Sequence, residues 1–377
     1  MNASWLPYGR QWIDDSDIEA VTAVLRGDWL TTGPAVAEFE AAIQAAVGAP
    51  AVSVTSGTAA LHAAYAGLGL GPGDEVITTP MTFIATASAA AMTGARIKFA
   101  DISPDTANID PAAVEPLLSS RTAVIAGVDY AGHPMDVDAL RVLTERVGAV
   151  LLEDAAHSIG GSYQGRPVGS LADITTFSFF PSKNLTSAEG GAVVATQPDL
   201  LAEIRRFARI GRNLNRDELR HSDEGEWWYE MSSFGLNYRL PDVLCALGIS
   251  QLKRLSTFVE RRRELVAAYN ELLSGLPDLT LPTQRDGVSP AWHLYAVRVR
   301  NGRRREAFEK LRAAGIGVQV NYIPVYWHPV FADSGYRRGM CPVAEKFYAE
   351  QLSLPLYPAM SEADQLRVVE ALTTVLV

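Results

Sequence analysis

The sequence predicts an α/β protein, with a mostly parallel sheet covered by helices on both faces and a smaller C-terminal α+β domain. Short apolar runs with strand character alternate with helix-length segments between residues 51 and 195. Strands buried on both faces read as continuous runs of this kind, and helical connections between them favour parallel pairing. From Pro241 the texture changes to a long helical stretch, then strand, basic helix and strand. The third observation is a strand, a turn and a strand about one lysine. Thr175-Thr176-Phe177-Ser178-Phe179-Phe180 is β-branched and aromatic, Pro181 ends it, Lys183 stands in a small polar turn, and Ala192-Val193-Val194-Ala195 resumes.

In chain order, Asp14-Asp15-Ser16-Asp17 supplies capping acids ahead of Ile18, Val21 and Leu25, which have helical spacing. Val36, Phe39, Ile43 and Val47 mark a second amphipathic helix, ended by Gly48 and Pro50. Strand runs follow at Ala51-Val52-Ser53-Val54, Val76-Ile77-Thr78-Thr79, Ile97-Lys98-Phe99-Ala100, Ala123-Val124-Ile125-Ala126-Gly127-Val128 and Val150-Leu151-Leu152-Glu153. Helices are expected between them, through Ala59, Leu61, Ala64 and Tyr65, and from Phe83 to Met92. Residues 211–233 are polar and then aromatic, and read as a loop that covers something. A helix near 241–274 connects to the second domain, so the expected division is 1–245 and 246–377. That second domain holds the strand Leu294-Tyr295-Ala296-Val297-Arg298-Val299, a helix from Arg303 to Arg312, the strand Val318-Gln319-Val320 and a final helix from Ser361.

The 377 residues allow two sizeable cores, and 48% hydrophobic with 20% charged residues is ordinary for a soluble globular chain. A net charge of −10 is a poor match to nucleic acid, which wants a basic face. Cys245 and Cys341 lie far apart, which excludes a disulfide framework and fits a reducing cytoplasm. The start Met1-Asn2-Ala3-Ser4-Trp5-Leu6-Pro7 lacks a charged segment followed by an apolar core, so no signal peptide is expected, and no apolar run is long enough to span a membrane.

An amine at a strand end, walled by aromatics, is disfavoured as ammonium, so Lys183 can act as a Schiff-base nucleophile; a solvated loop lysine is the plain alternative. Ser56-Gly57-Thr58 falls between a strand and a helix, where free amides and a hydroxyl suit a phosphate, or simply cap the helix. Asp154 ends an apolar strand with His157 three residues on. That carboxylate can hold a protonated pyridine nitrogen or cap the next helix. Phe83 can stack on a ring or fill the core. Together, a reactive lysine, a phosphate cradle and a strand-end acid are what pyridoxal phosphate needs. Gly67-Leu68-Gly69-Leu70-Gly71-Pro72-Gly73 follows a helix and leads into a strand, the reverse of a dinucleotide fingerprint.

Nearly the whole chain resembles the pyridoxal-phosphate sugar aminotransferases of the DegT/StrS type. The matching runs include Pro7-Tyr8-Gly9-Arg10, Thr31-Thr32-Gly33-Pro34, Ser56-Gly57-Thr58-Ala59-Ala60-Leu61, Pro80-Met81-Thr82-Phe83 and Glu153-Asp154-Ala155-Ala156-His157-Ser158. They continue with Phe177-Ser178-Phe179-Phe180-Pro181-Ser182-Lys183-Asn184-Leu185 and Gly235-Leu236-Asn237-Tyr238-Arg239-Leu240. The resemblance implies a fold-type-I homodimer with a seven-stranded-type sheet and the site at the subunit interface. It makes Lys183 the Schiff-base lysine, pairs Asp154 with the pyridinium nitrogen, places His157 beside the ring and Phe83 on it. Gly57, Thr58 and Ser178 match phosphate contacts, and Asn237 one supplied by the partner subunit. Tyr322, Tyr326 and His328 match the loop lining the sugar pocket. Arg239 and the 209–212 segment are the candidates for the nucleotide's phosphates.

Within the family, Asp129-Tyr130-Ala131-Gly132-His133-Pro134 and Trp227-Trp228-Tyr229-Glu230 are most similar to the pseudaminic-acid transaminases. Those aminate C4 of a UDP-linked 4-keto-6-deoxy sugar bearing a 2-acetamido group. Pro181-Ser182-Lys183-Asn184-Leu185 is more like the general deoxysugar enzymes, which take dTDP-linked ketosugars. The expected reaction is transamination with glutamate as the donor. A related sugar 3-dehydratase carries histidine where Lys183 stands, and a non-catalytic binder of cofactor or sugar is the distant alternative.

Overall fold

The computed structural model describes residues 5–213 and 215–377, so the first four residues of the segment read for a leader lie outside the described residues. Seven strands form the main sheet: β1 (Ala51–Val54), β2 (Glu75–Thr78), β3 (Arg96–Phe99), β4 (Thr122–Val128), β5 (Val150–Asp154), β6 (Ile174–Ser178) and β7 (Gly191–Ala195). Their order is β1-β7-β6-β5-β4-β2-β3. The pairs β3/β2, β2/β4, β4/β5 and β5/β6 are parallel, and β7 runs antiparallel to both its neighbours. The expected mostly parallel sheet is therefore present.

The apolar runs are explained by what each residue meets. Val76, Leu152 and Val193 enter one core, while their chain neighbours Ile77, Leu151 and Val194 enter the core on the opposite face. Successive strand side chains point to opposite faces, so two covered faces demand apolar residues at every position. The helices Gly57–Gly67 and Pro198–Ala208 cover the first face, and Gly67 has no room for a side chain: a Cβ would lie 2.4 Å from Ile204 Cγ1. The helices Pro34–Val47 and Val137–Val147 cover the second, the latter started by Asp136, whose carboxylate accepts from Ala139 N at 3.2 Å.

A third core gathers Leu265, Val266 and Tyr269 with the C-terminal elements and with Leu6 from the other end of the chain. Its antiparallel sheet is β8 (Leu279–Thr280), β9 (Tyr295–Val299) and β10 (Gln351–Leu354), in that order. The expected division at 245/246 falls inside the helix Asp242–Lys253, which packs on the helices Asp15–Leu25 and Pro34–Val47. A helix is one hydrogen-bonded rod, so the change of core comes later, along Leu255–Leu272. Leu255 and Val259 there belong to the large core, and Leu265 onward to the small one. The strand expected at 318–320 is a single bridge, Gln319 to Ser353. Among the described residues of 211–233, the short turn Arg216–Glu218 is the only regular helix, and Trp227 is exposed. Among the described residues no helix is long and apolar enough to cross a membrane.

Candidate active site

Parallel sheets gather ligands at the carboxyl ends of their strands. There, past β1, β5 and β6, lies a cavity of about 340 Å³ lined by Gly57, Thr58, Phe83, Asp154, His157, Ser178, Lys183 and Tyr322, among others. Eight residues singled out from the sequence thus converge, from segments up to 265 positions apart (322 − 57).

Lys183 follows β6 in a tight turn, its backbone N–H donating to Phe180 O at 2.8 Å. By area it is partly exposed, because it opens on the cavity, yet its amine is enclosed by protein. Burial pushes it down to about 8, against the opposing pull of Asp154. A substantial neutral fraction near pH 7–8 makes it a competent nucleophile and base.

Asp154, the last residue of β5, is buried and accepts from Thr86 Oγ1 at 2.7 Å and Ala156 N at 3.2 Å. Thr86 has one proton to give. Giving it to Asp154, it accepts from Thr82 Oγ1 at 2.7 Å, so a hydroxyl relay fixes the carboxylate. Burial still pushes the Asp154 carboxyl up, and a cationic N–H placed against it is the group that would restore its ionised form. Behind it, Asp129 and Glu153 are both fully buried, and burial raises both, Glu153 to about 7. Asp129 accepts from Ser158 Oγ at 2.6 Å and from Met135 N at 2.8 Å, which ties down the turn that carries His157.

His157 Nε2 lies 3.1 Å from the Tyr322 hydroxyl, and its ring packs 4.3 Å from that of His293. Burial and the nearby Lys183 charge hold His157 well below the usual imidazole range, so it is neutral. Phe83 is 56% exposed, an unusual position for phenylalanine that the cavity mouth accounts for.

The cavity fits a phosphate. Ser56 caps the helix Gly57–Gly67 by accepting from Ala59 N at 3.1 Å, which leaves the Gly57 and Thr58 amides pointing out of the first turn. A Cβ at Gly57 would stand 2.7 Å from Ser178 Cβ, so only glycine lets the helix end approach the hydroxyl across the cradle. Thr176 Oγ1, also lining the cavity, is buried without a partner. Cradle, buried acid and enclosed amine are the three sites that pyridoxal phosphate requires.

Four expected residues lie elsewhere in the subunit. Tyr326 is fully buried, its ring 5.5 Å from Phe99 and its hydroxyl donating to Glu345 at 2.7 Å; it is core, which corrects its expected place in the sugar pocket. His328 caps the start of the short helix Pro329–Ala332 and does not line its own subunit's cavity. Asn237 is exposed on the segment bridged to Arg209. Arg239 lines a separate cavity of about 260 Å³ with Arg205, Arg209 and Glu40. Conversely, Tyr8, Thr86, His293 and Asn321 line the main cavity without having been singled out for it. Thr86 carried a signal, as the hydroxyl one helical turn beyond Thr82 and Phe83; His293 and Asn321 carried none.

The DegT/DnrJ/EryC1/StrS aminotransferase family model matches residues 11–373. The chain is 40% identical to the spore coat polysaccharide biosynthesis protein SpsC of Bacillus subtilis, covering 97% of this chain and 96% of that one. It is 37% identical to the UDP-4-amino-4,6-dideoxy-N-acetyl-beta-L-altrosamine transaminase of Campylobacter jejuni, covering 98% and 97%. Among solved structures it is similar to Helicobacter pylori PseC, an aminotransferase of pseudoaminic acid biosynthesis (TM-score 0.93, 29% identity, 99% of each chain). It is also similar to the putative sugar aminotransferase Spr1654 of Streptococcus pneumoniae in its PLP form (TM-score 0.92, 29% identity, 98% of each). With the lysine, acid and cradle in place, the chain belongs to the DegT/DnrJ/EryC1/StrS aminotransferase family and is an aminotransferase.

Proposed function

We propose that this enzyme transfers the amino group of glutamate to C4 of a UDP-linked 4-keto-6-deoxy-2-acetamido sugar. Its cofactor is pyridoxal phosphate, which when bound supplies the electron sink that makes the donor's Cα–H acidic. Its phosphate would be held by the Gly57 and Thr58 amides and the Ser178 hydroxyl. Asp154 would hold the proton on the ring nitrogen, and Phe83 would cover the ring. Lys183 Nζ would take the proton from the donor Cα in the first half of the reaction and deliver a proton to sugar C4 in the second. The donor leaves as a keto acid and the sugar leaves as an amine.

The observation that carries the acceptor class is the cavity's lining. Among the described residues, no arginine lines it, whereas Tyr8, Tyr322, Asn321 and two histidines that burial keeps neutral do. A carboxylate is matched by a bidentate guanidinium, and a sugar's hydroxyls and amide by neutral donors and acceptors. The chain's similarity to the Campylobacter transaminase supports the UDP-linked acetamido sugar. A panel of 4-keto nucleotide sugars and oxaloacetate, each assayed with glutamate, tests this. The UDP-acetamido ketosugar should turn over fastest. Faster turnover of oxaloacetate than of any ketosugar overturns the sugar assignment, and a preference for dTDP sugars overturns the acetamido branch alone.

The working unit is a homodimer in which Asn237 completes the partner's phosphate site. Asn237 is exposed and does not line its own subunit's cavity, and the segment around it exposes Phe234 completely. Arg239, two residues on, is the candidate for the nucleotide's phosphates. When Lys183→Ala and Asn237→Ala proteins are allowed to exchange subunits, one of the two sites in a mixed dimer has both residues intact. Activity should rise toward a quarter of wild type for statistical mixing, from near zero in either parent. Mixed dimers without recovered activity would refute the shared site.

A further inference from the structure

Three of the segments that would hold the cofactor meet at Thr86. This residue is fully buried in the first turn of the helix Ala85–Met92, three positions past Phe83. Its backbone carbonyl accepts from the Tyr65 hydroxyl at 3.0 Å, and Tyr65 lies on the helix Gly57–Gly67, whose start forms the phosphate cradle. Its side chain meets the acid at the end of β5. The Thr86 hydroxyl is 2.7 Å from Asp154 Oδ2 and 3.3 Å from Phe83 O, so its one proton goes to the nearer acceptor, the carboxylate. Thr82 Oγ1, at 2.7 Å, then donates to Thr86. The other Asp154 oxygen accepts from Ala156 N at 3.2 Å. Among the described residues, these are the two hydrogen bonds that the carboxylate receives, and no ion pair reaches it.

We propose that Thr86 is a positioning residue for the transamination: its hydroxyl holds Asp154 ionised and in place for the ring nitrogen, and so sets the strength of the electron sink. This rests on the reading above in which Asp154 meets that nitrogen. A reacting group keeps its geometry through the hydrogen bonds behind it. Here the bond also decides the charge. Burial favours the neutral acid, and among the influences that oppose burial the Thr86 hydrogen bond is the largest. An Asp154 that carried its own proton would offer a hydrogen to a nitrogen that also carries one, and the pairing would fail. The links through Tyr65 and Phe83 place this hydroxyl on the same turn as the ring cover and against the cradle helix, so one residue ties the three contacts together.

Thr86→Val keeps the side chain's shape and Thr86→Ser keeps its hydroxyl. In cofactor-free protein, infrared difference spectra of the carboxyl band, with Asp154→Asn as the blank, should show Asp154 taking up its proton at higher pH in Thr86→Val than in wild type or Thr86→Ser. In the holoenzymes, Thr86→Val should slow the glutamate and sugar half-reactions alike, by roughly ten- to a hundredfold, the range that one hydrogen bond to a charged group spans, with an unchanged KM for the sugar. Thr86→Ser should stay within about threefold of wild type. In the Asp154→Asn background the valine should cost at most about twofold more, because a residue that acts through Asp154 has nothing left to act on. Thermal unfolding checks that each variant folds, and Thr86→Ala, which also lacks the hydroxyl, makes the same comparison where valine disturbs the packing. An unshifted Asp154 titration, wild-type rates in Thr86→Val, or losses that simply multiply with those of Asp154→Asn would each overturn the role of Thr86. Wild-type rates in Asp154→Asn overturn the reading of Asp154, and this proposal with it.

Discussion

Lys183→Ala protein is expected to fold, to retain pyridoxal phosphate only by reversible contacts, and to show no measurable transamination. The side chain opens on a cavity, so its removal leaves no new sealed void and little loss of packing. What disappears is the only amine among the residues lining that cavity. It attaches the cofactor's aldehyde, and its enclosed position brings its pKa to about 8, where it can both accept and return a proton. Losing a general base alone costs roughly 10²–10⁴-fold, and losing the covalent anchor adds to that, so turnover should fall by at least about 10⁴. Single-turnover absorbance with glutamate, alongside thermal unfolding with and without cofactor, checks it. A variant that keeps the wild-type cofactor spectrum and its turnover would place the anchor on a different lysine.

How much of this was readable in advance depended on which forces act locally. The main sheet was legible because both its faces are covered, so Val76-Ile77 and Leu151-Leu152 each send adjacent apolar residues to opposite cores. The last strand, Gln351–Leu354, was not. Its Gln351 and Ser353 are fully buried, but they satisfy one another and Asn321: Asn321 N donates to Gln351 Oε1 at 2.8 Å, and Ser353 Oγ to Asn321 Oδ1 at 2.9 Å. A buried polar network reads in sequence as a solvated segment. Lys183, Asp154 and the Gly57 cradle were legible because strand ends and helix starts announce them. Tyr326 was misplaced because its partner, Glu345, sits in the helix Pro342–Glu350, and nothing in the run around Tyr326 signals that contact. Tyr8 was passed over for the same reason: its position depends on pairing between Leu6 and Ile316, more than 300 residues apart (316 − 6 = 310).

Asp154→Asn should leave the fold intact and cut turnover by roughly ten- to a thousand-fold. Asparagine matches the shape of aspartate, and its side-chain oxygen can still accept from Ala156 N. What it removes is the negative charge. An opposite charge within about 4–6 Å moves a partner's pKa by about 1–3 units, so without it the ring nitrogen gives up its proton by that factor more readily. The electron sink weakens in proportion, in both halves of the reaction. The lysine responds as well. Asp154 pulls the Lys183 amine upward, so its neutralisation moves that amine further below about 8. A more acidic free amine is a weaker base, which deepens the loss. The two effects have separate readouts: capture of the cofactor aldehyde by the cofactor-free protein should reach its plateau at lower pH, while turnover falls across the whole pH range. Turnover within threefold of wild type would show that Asp154 does not hold the ring nitrogen's proton, and would leave it as the Thr86-linked cap of the turn that follows β5.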